Sequence, residues 1–257
     1  MGDLISRYKS GDCQAVRDAL KTYINLDSSR DDCAIASAVA DEFVSRAVEN
    51  LCELYEALQK IGYQFSDPQN AFVLNDPPDD VSVCRFEAKM GRMPLLASCW
   101  YRRIRSLDFS QSENQFTDPT SQLAGLGWNT PFIVQSLEKA INHWEDHCHQ
   151  NDLDNQWRRK SGLAPCGPSA PVLLTGGCAS NNDCKGFSLP SSRFDDVLYN
   201  EGFGDQYFGD EIARGFQIGG FPVLAASDST LRLVHSLYGK PDQSFLLTHL
   251  PSKFRVI

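Results

Sequence analysis

The sequence has no apolar run approaching the roughly 20 residues that a membrane-spanning helix needs. Its first residues, MGDLISRYKSGD, lack the apolar stretch of a secretory signal, and Met1-Gly2 with Ser6 matches a myristoylation pattern only loosely. Positive charge is scarce: 24 Lys and Arg against 33 Asp and Glu give a net charge of −9. That balance counts against nucleic acid as the main partner, because phosphate binding needs a basic face. The two local basic runs, Arg102-Arg103 with Arg105 and Arg158-Arg159-Lys160, read as solvated faces or ion-pair sets. No internal repeat and no low-complexity segment is present. The nine cysteines form no CxxC pair, and an odd number without a secretion signal reads as reduced thiols in a cytoplasmic protein. Gly-rich phosphate turns between regularly spaced strands are missing, which counts against a Rossmann-type nucleotide domain. Nowhere does a complete catalytic signature occur, and no cofactor is implied.

What is present is ample material for a core, with 42% hydrophobic residues in 257. The N-terminal quarter reads as helical. Cys13 to Tyr23 forms a short amphipathic helix with Val16, Ala19, Leu20 and Tyr23 on one side. Ser28, Ser29, Asp31 and Asp32 supply N-cap chemistry for a long helix from about Cys33 to Ile61. Its apolar residues recur at Ala36, Val39, Phe43, Ala47, Leu51, Leu54, Leu58 and Ile61, in steps of three and four, and Gly62 closes it. Ser66 to Asp80 reads as a polar loop rich in Asp and Pro. Val81 to Glu87 alternates and predicts an edge strand. Pro94 opens a helix that carries Leu95, Leu96 and Cys99, and Ser106 to Phe109 leaves it as a strand.

Residues 110–128 read as a loop, Pro131 to Gln135 as a short strand, Leu137 to His147 as a helix and Asn151 to Ser169 as a polar break. Pro171 to Thr175 and Gly186 to Leu189 are apolar strands around a tight turn, and Asp195 to Tyr199 continues the strand region. Asp205 to Phe216 is helical, Ser229 to Leu237 is a last helix, and Phe245 to Leu250 a last strand. Helices first, then short strands mixed with helices, predict the α+β class.

The densest chemical constellation is His143-Trp144-Glu145-Asp146-His147-Cys148-His149. His143 and His147 are four apart and share a helical face that a metal could bridge, but Glu145 projects elsewhere, unlike the base of a zinc protease. The bland reading is a helix end whose histidines favour the negative dipole terminus. Cys166, Cys178 and Cys184 with His149 match no zinc-knuckle spacing. Asn181, Asn182, Asp183 and Lys185 sit in a turn whose side chains suit a cation or a sugar, although Asn and Asp are also the default turn residues. Asp205, Asp210 and Glu211 are a poor carboxylate pair, since adjacent Asp210 and Glu211 diverge by about 100° on a helix. Of Trp100 and Tyr101, either one points inward while the other serves as a contact aromatic, or both pack under the long helix or the following loop. Phe221, behind Gly219 and Gly220, reads as a sheet-edge anchor whose glycines permit close backbone approach.

Several segments line up in order: Leu58-Gln59-Lys60-Ile61-Gly62-Tyr63-Gln64-Phe65, then Met93-Pro94-Leu95-Leu96-Ala97 with Trp100-Tyr101, then Ser106-Leu107-Asp108-Phe109. Lys185-Gly186-Phe187-Ser188-Leu189-Pro190 and Gly219-Gly220-Phe221-Pro222 complete the set. In this order, over about residues 35–224, they resemble bacterial proteins related to the SUKH superfamily. That superfamily includes immunity proteins for secreted polymorphic toxins and a fungal regulator of cell-wall glucan synthesis. Two departures stand out. Arg103 to Leu107 carries Arg105 where the family usually has a glycine turn, and Thr175-Gly176-Gly177-Cys178 replaces a small-Pro-Asp turn.

The resemblance implies an α+β fold with a twisted, mainly antiparallel sheet flanked by helices, behind an N-terminal helical hairpin with one long helix. It implies a single domain over 1–257, with a helical part at 1–65, an α+β core at 81–224 and a C-terminal extension at 225–257. It also implies binding of a protein partner, such as a toxin domain, rather than catalysis. Trp100, Tyr101, Asp183, Lys185 and Phe221 are the candidate binding residues read from the sequence itself. A metal-dependent hydrolase using His143 and His147, and a regulatory scaffold that self-associates through the long helix, are the competing expectations.

Overall fold

The computed structural model describes residues 3–22, 30–118, 120–121, 123–126, 132–164, 172–174, 186–198, 206–221 and 254–257. Three helices open the chain. Helix α1 (Leu4–Lys9), too short to show a period in the sequence, buries Leu4 and Tyr8. Helix α2 (Cys13–Lys21) buries Cys13, Val16, Leu20 and also Arg17. The long helix α3 (Arg30–Lys60) carries Asp31 and Asp32 in its first turn, where the helix dipole favours them. Its 31 residues span about 46 Å at 1.5 Å each. The three-and-four pattern packs as the sequence implies: Ala36, Val39, Phe43, Ala47, Leu51, Leu54 and Leu58 are all fully buried. Gly62, at φ +79°, takes the left-handed conformation that lets Tyr63 N–H bond back to Leu58 O at 3.0 Å and so closes the helix.

Strand β1 (Phe72–Leu74) emerges inside the stretch expected to be loop, its apolar run being too short to stand out from the Asp and Pro around it. Helix α4 (Asp80–Met90) then overturns the edge strand expected over Val81 to Glu87. Alternation there is coincidental. Val83, Phe86 and Met90, three and four apart, are the buried residues, and Asp79 caps the helix by accepting Ser82 N–H at 2.9 Å. Helix α5 (Leu95–Arg103) starts after Pro94, which sits at the cap rather than the first helical position. Two of its free N–H groups are satisfied from afar: Leu95 N–H donates to Arg193 O and Leu96 N–H to Phe194 O. The chain passes directly from α5 into β2 (Ile104–Asp108) with Ile104 at φ −119°. Arg105 therefore lies in extended backbone, and no glycine turn is needed there.

Strand β2 is the centre of a three-stranded antiparallel sheet ordered β1-β2-β3. Phe72 faces Leu107 across one ladder, and Leu107 faces Val134 of β3 (Ile133–Val134) across the other. Between them, α6 (Glu113–Thr117) occupies part of the segment expected to be unstructured. Its buried Gln115 donates to Gly62 O and accepts from Gln64 N–H, each at 2.8 Å, tying off the end of α3. Helix α7 (Leu137–Lys160), capped by Ser136, runs 24 residues, well past the His147 stop expected from its apolar face. Its polar continuation replaces the start of the break expected from Asn151, because a helix that covers no core needs no apolar stripe.

Two short antiparallel ladders follow, β4 (Val172–Leu174) with β5 (Gly186–Ser188), and β6 (Val197–Leu198) with β7 (Gln206–Tyr207). Helix α8 (Phe208–Gln217) buries Phe208, Ile212 and Phe216. The fold is α+β, with antiparallel pairing in every described ladder. The described strands are shared among three small sheets rather than gathered into one large one.

Residues 254–257, assigned from the sequence to a C-terminal extension, are packed against α2, α3 and α8. Asn50 makes a two-way bond to the Arg255 backbone, donating to its O at 2.9 Å and accepting from its N–H at 2.7 Å. Arg46 donates to Val256 O at 2.9 Å, Arg17 donates to Ile257 O, and Phe254 packs edge-on to Phe216. The helix and strand expected at 229–237 and 245–250 lie outside the described residues.

Candidate functional site

The surface best equipped to meet another molecule is the turn between β1 and α4, which holds Asp76, Pro77, Pro78, Asp79 and Asp80. It is fastened to the C-terminal end of α5, whose last carbonyls have no helical partners. Asn75 N–H donates to Arg103 O at 2.9 Å, and its side-chain amide reaches Tyr101 O and Arg102 O at 3.1 and 3.2 Å. Asp79 N–H donates to Arg102 O at 2.8 Å. The bond from Ser82 holds the Asp79 carboxyl below the usual carboxylate range, so it stays ionised. Arg102 Nε pairs with Asp80 Oδ1 at 2.9 Å, which ties one arginine of the first basic run to this turn, while Arg103 and Arg105 are exposed.

On this pinned backbone two apolar side chains face solvent: Val81 is 68% exposed and Leu74 39%. Asp76 and Asp80 are exposed beside them. The result is a pinned turn that sets Asp76, Asp79 and Asp80 beside two exposed apolar side chains, a combination able to meet a basic protein surface.

The residues singled out from the sequence are placed differently. Trp100 and Tyr101 are both buried, at 0% and 3% exposure, so neither is a contact aromatic. Adjacent helical positions can both be covered because α5 lies deep in the fold, with α3 packed against it and α8 meeting it as well. Phe208 of α8 meets the Trp100 ring edge-on at 5.6 Å. Phe221 is fully buried against Tyr63, 5.4 Å between ring centroids, and is a core residue rather than a sheet-edge anchor. Its glycines behave as expected. Gly220 accepts from Phe132 N–H at 2.9 Å at φ +79°, and a Cβ there would lie 2.8 Å from Leu54. Asp183, Lys185, Cys166, Cys178, Cys184, Asn181, Asn182, Asp205 and Pro222 lie outside the described residues, as does the Thr175 to Cys178 turn. His143 is exposed on α7, and among the described residues no group of three or more His, Cys, Asp or Glu side chains is arranged to hold a metal.

One ionic cluster has no signature in the sequence. Asp210 on α8 bonds Lys21 at 2.6 Å and lies 3.5 Å from Arg17 Nε, both on α2. Burial pulls the Lys21 ammonium down, but the bonds to Asp210 and Asp18 outweigh it and leave its pKa above the ordinary value. Near it, Asp195 is fully buried and accepts Gly209 N–H at 2.9 Å and Asp196 N–H at 2.8 Å. Burial pushes its carboxyl up to about 7, with Asp210 adding to the rise. A carboxyl near neutrality has the proton affinity of a general acid or base. Here, however, it is spent on the backbone amide that begins α8, so its role is to hold that helix in place. Three of the thiols are equally quiet. Burial raises Cys13 and Cys52 and pushes Cys99 up to about 12, which leaves little thiolate for nucleophilic attack.

No family model matches this chain, and neither a curated protein nor a solved structure matches it.

Proposed function

We propose that this protein is a non-catalytic, cytoplasmic, SUKH-like binding module whose partner is a basic protein, a toxin domain in the immunity reading. The observation that carries the proposal is the acidic turn, with Val81 and Leu74 exposed on a backbone fixed by α5. A preorganised surface loses little conformational entropy on binding. An acidic rim around apolar residues speeds encounter with a basic partner and then holds it. The ordered motifs that resemble the SUKH superfamily support the same reading. So does the use of Asp210, Asp195 and the buried thiols in internal contacts rather than in an open reactive site. For the described residues, no helix is long and apolar enough to cross a membrane.

The test is affinity capture on the immobilised full chain from extracts of its own cells, run in parallel with Val81→Asp. The expected result is one stoichiometric basic protein, retained by the wild type and lost by the variant, whose fold is checked by circular dichroism. Capture of nothing, or of a partner indifferent to Val81, would sink the proposal.

A further inference from the structure

Helix α7 has two apolar faces, and the fold covers one of them. Leu137, Ala140, Ile141 and Trp144 of its first half pack onto the core. Leu153 stands nine positions after Trp144, about two and a half turns, which puts it on the opposite side of the helix. Leu153 is 44% exposed and Trp157, one turn further, 60%. The whole stripe around them faces solvent: Asp146, His149, Gln150, Leu153, Gln156, Trp157 and Lys160 are all exposed. These positions recur in steps of three and four with a seven-residue repeat, the spacing of a helix–helix seam. Exposed apolar pairs of this kind mark contact surfaces when they line up on one face.

The stripe is also symmetric in its chemistry. Counted outward from Leu153, Asp146 and Lys160 lie seven residues to either side, His149 and Trp157 four, and Gln150 and Gln156 three. An antiparallel pairing of two such helices about Leu153 puts Leu153 against its own copy. Trp157 then covers His149 of the other chain, Gln150 meets Gln156, and Asp146 at one end meets Lys160 at the other. Asp152 and Asp154 fall about 100° to either side, at the solvated edge. A two-fold contact requires a surface complementary to itself, and this one places Asp146 opposite Lys160 and Leu153 against its own copy.

We propose that the second half of α7 is a self-association surface, through which two copies of this chain pair antiparallel. The contact is short, so the dimer is weak and concentration-dependent. The helix expected from the sequence to mediate self-association is α3, but its apolar face is spent on the core.

Sedimentation velocity on the full chain over a range of concentrations tests the pairing. The mass is expected to rise from 28.6 kDa toward twice that value. Leu153→Asp abolishes the rise. Asp146→Lys and Lys160→Glu each weaken dimerisation several-fold. The double substitution in one chain restores it, because the two exchanged charges again meet as opposites across the pair. All of these positions are exposed, so circular dichroism should show the fold intact. A monomer at every concentration overturns the proposal, and so does a dimer indifferent to these substitutions.

Discussion

Asp195 shows what burial does to a single carboxyl. Its folded pKa of about 7 lies above the ordinary 3.8, so between those values the folded protein binds a proton that the unfolded chain releases. Stability from this group is therefore fully present at low pH and is lost as pH rises from about 4 to about 7. Asp18, Asp67, Asp79 and Asp118 are shifted the other way, and their contribution is lost only as pH falls below the ordinary carboxylate range. For Asp118 the main cause is the bond from Thr120, and for Asp79 the bond from Ser82. Replacing Asp195 with Asn removes the first effect. The Asp195→Asn protein should therefore show a melting temperature that changes less between pH 5 and pH 8 than the wild type, by an amount worth about 1–3 kcal/mol. An unchanged pH profile, measured by thermal denaturation, would mean that burial does not raise the proton affinity of Asp195. Nothing in the sequence marks Asp195, because its proton affinity is set first by burial and then by Gly209, Asp196, Asp210 and Lys21, of which only Asp196 is a neighbour along the chain. Trp100 and Tyr101 are legible as important, but their burial depends on what α3 and α8 place over them.

Among the elements, α3 is readable because its apolar spacing persists over many turns and matches only a helix. Helix α4 is not, since Val81 and Val83 alternating with Ser82 fit a strand about as well as Val83, Phe86 and Met90 fit a helix over so short a stretch. The far half of α7 is illegible for a different reason: it buries almost nothing, so it carries no core-facing stripe to read. The segment 254–257 holds its place through side chains of α2 and α3 that bond to its backbone, which sequence patterns do not encode. Asn50→Leu removes both bonds to the Arg255 backbone. It should cost about 1–3 kcal/mol and speed amide exchange at residues 255–257 more than in the α3 core. Equal exchange in both proteins would show that the Asn50 bonds do not hold the segment.

Across the full chain, the proposed function assigns two roles: the net charge of −9 would act on a basic partner at long range, and the exposed Leu74 and Val81 would form the docking point. Association with the basic partner should slow as salt rises from about 0.01 to 0.15 M, because the Debye length shrinks from about 30 to 8 Å. Dissociation, governed by the apolar centre, should change far less. Stopped-flow mixing checks this, and an association rate indifferent to salt would remove the electrostatic part of the proposal. The order of amino acids is enough to establish the α+β class, the long buried helix, the glycine turns at Gly62 and Gly220, and the acidity of the chain. Those follow from local periodicity, backbone sterics and composition, which act over a few residues or over the sum of all of them. Which aromatic residues are buried, which charges pair between α2 and α8, and which face of α7 is left uncovered are settled in the packed molecule alone. Those outcomes depend on contacts between segments far apart in the chain, whose desolvation and packing no local pattern records.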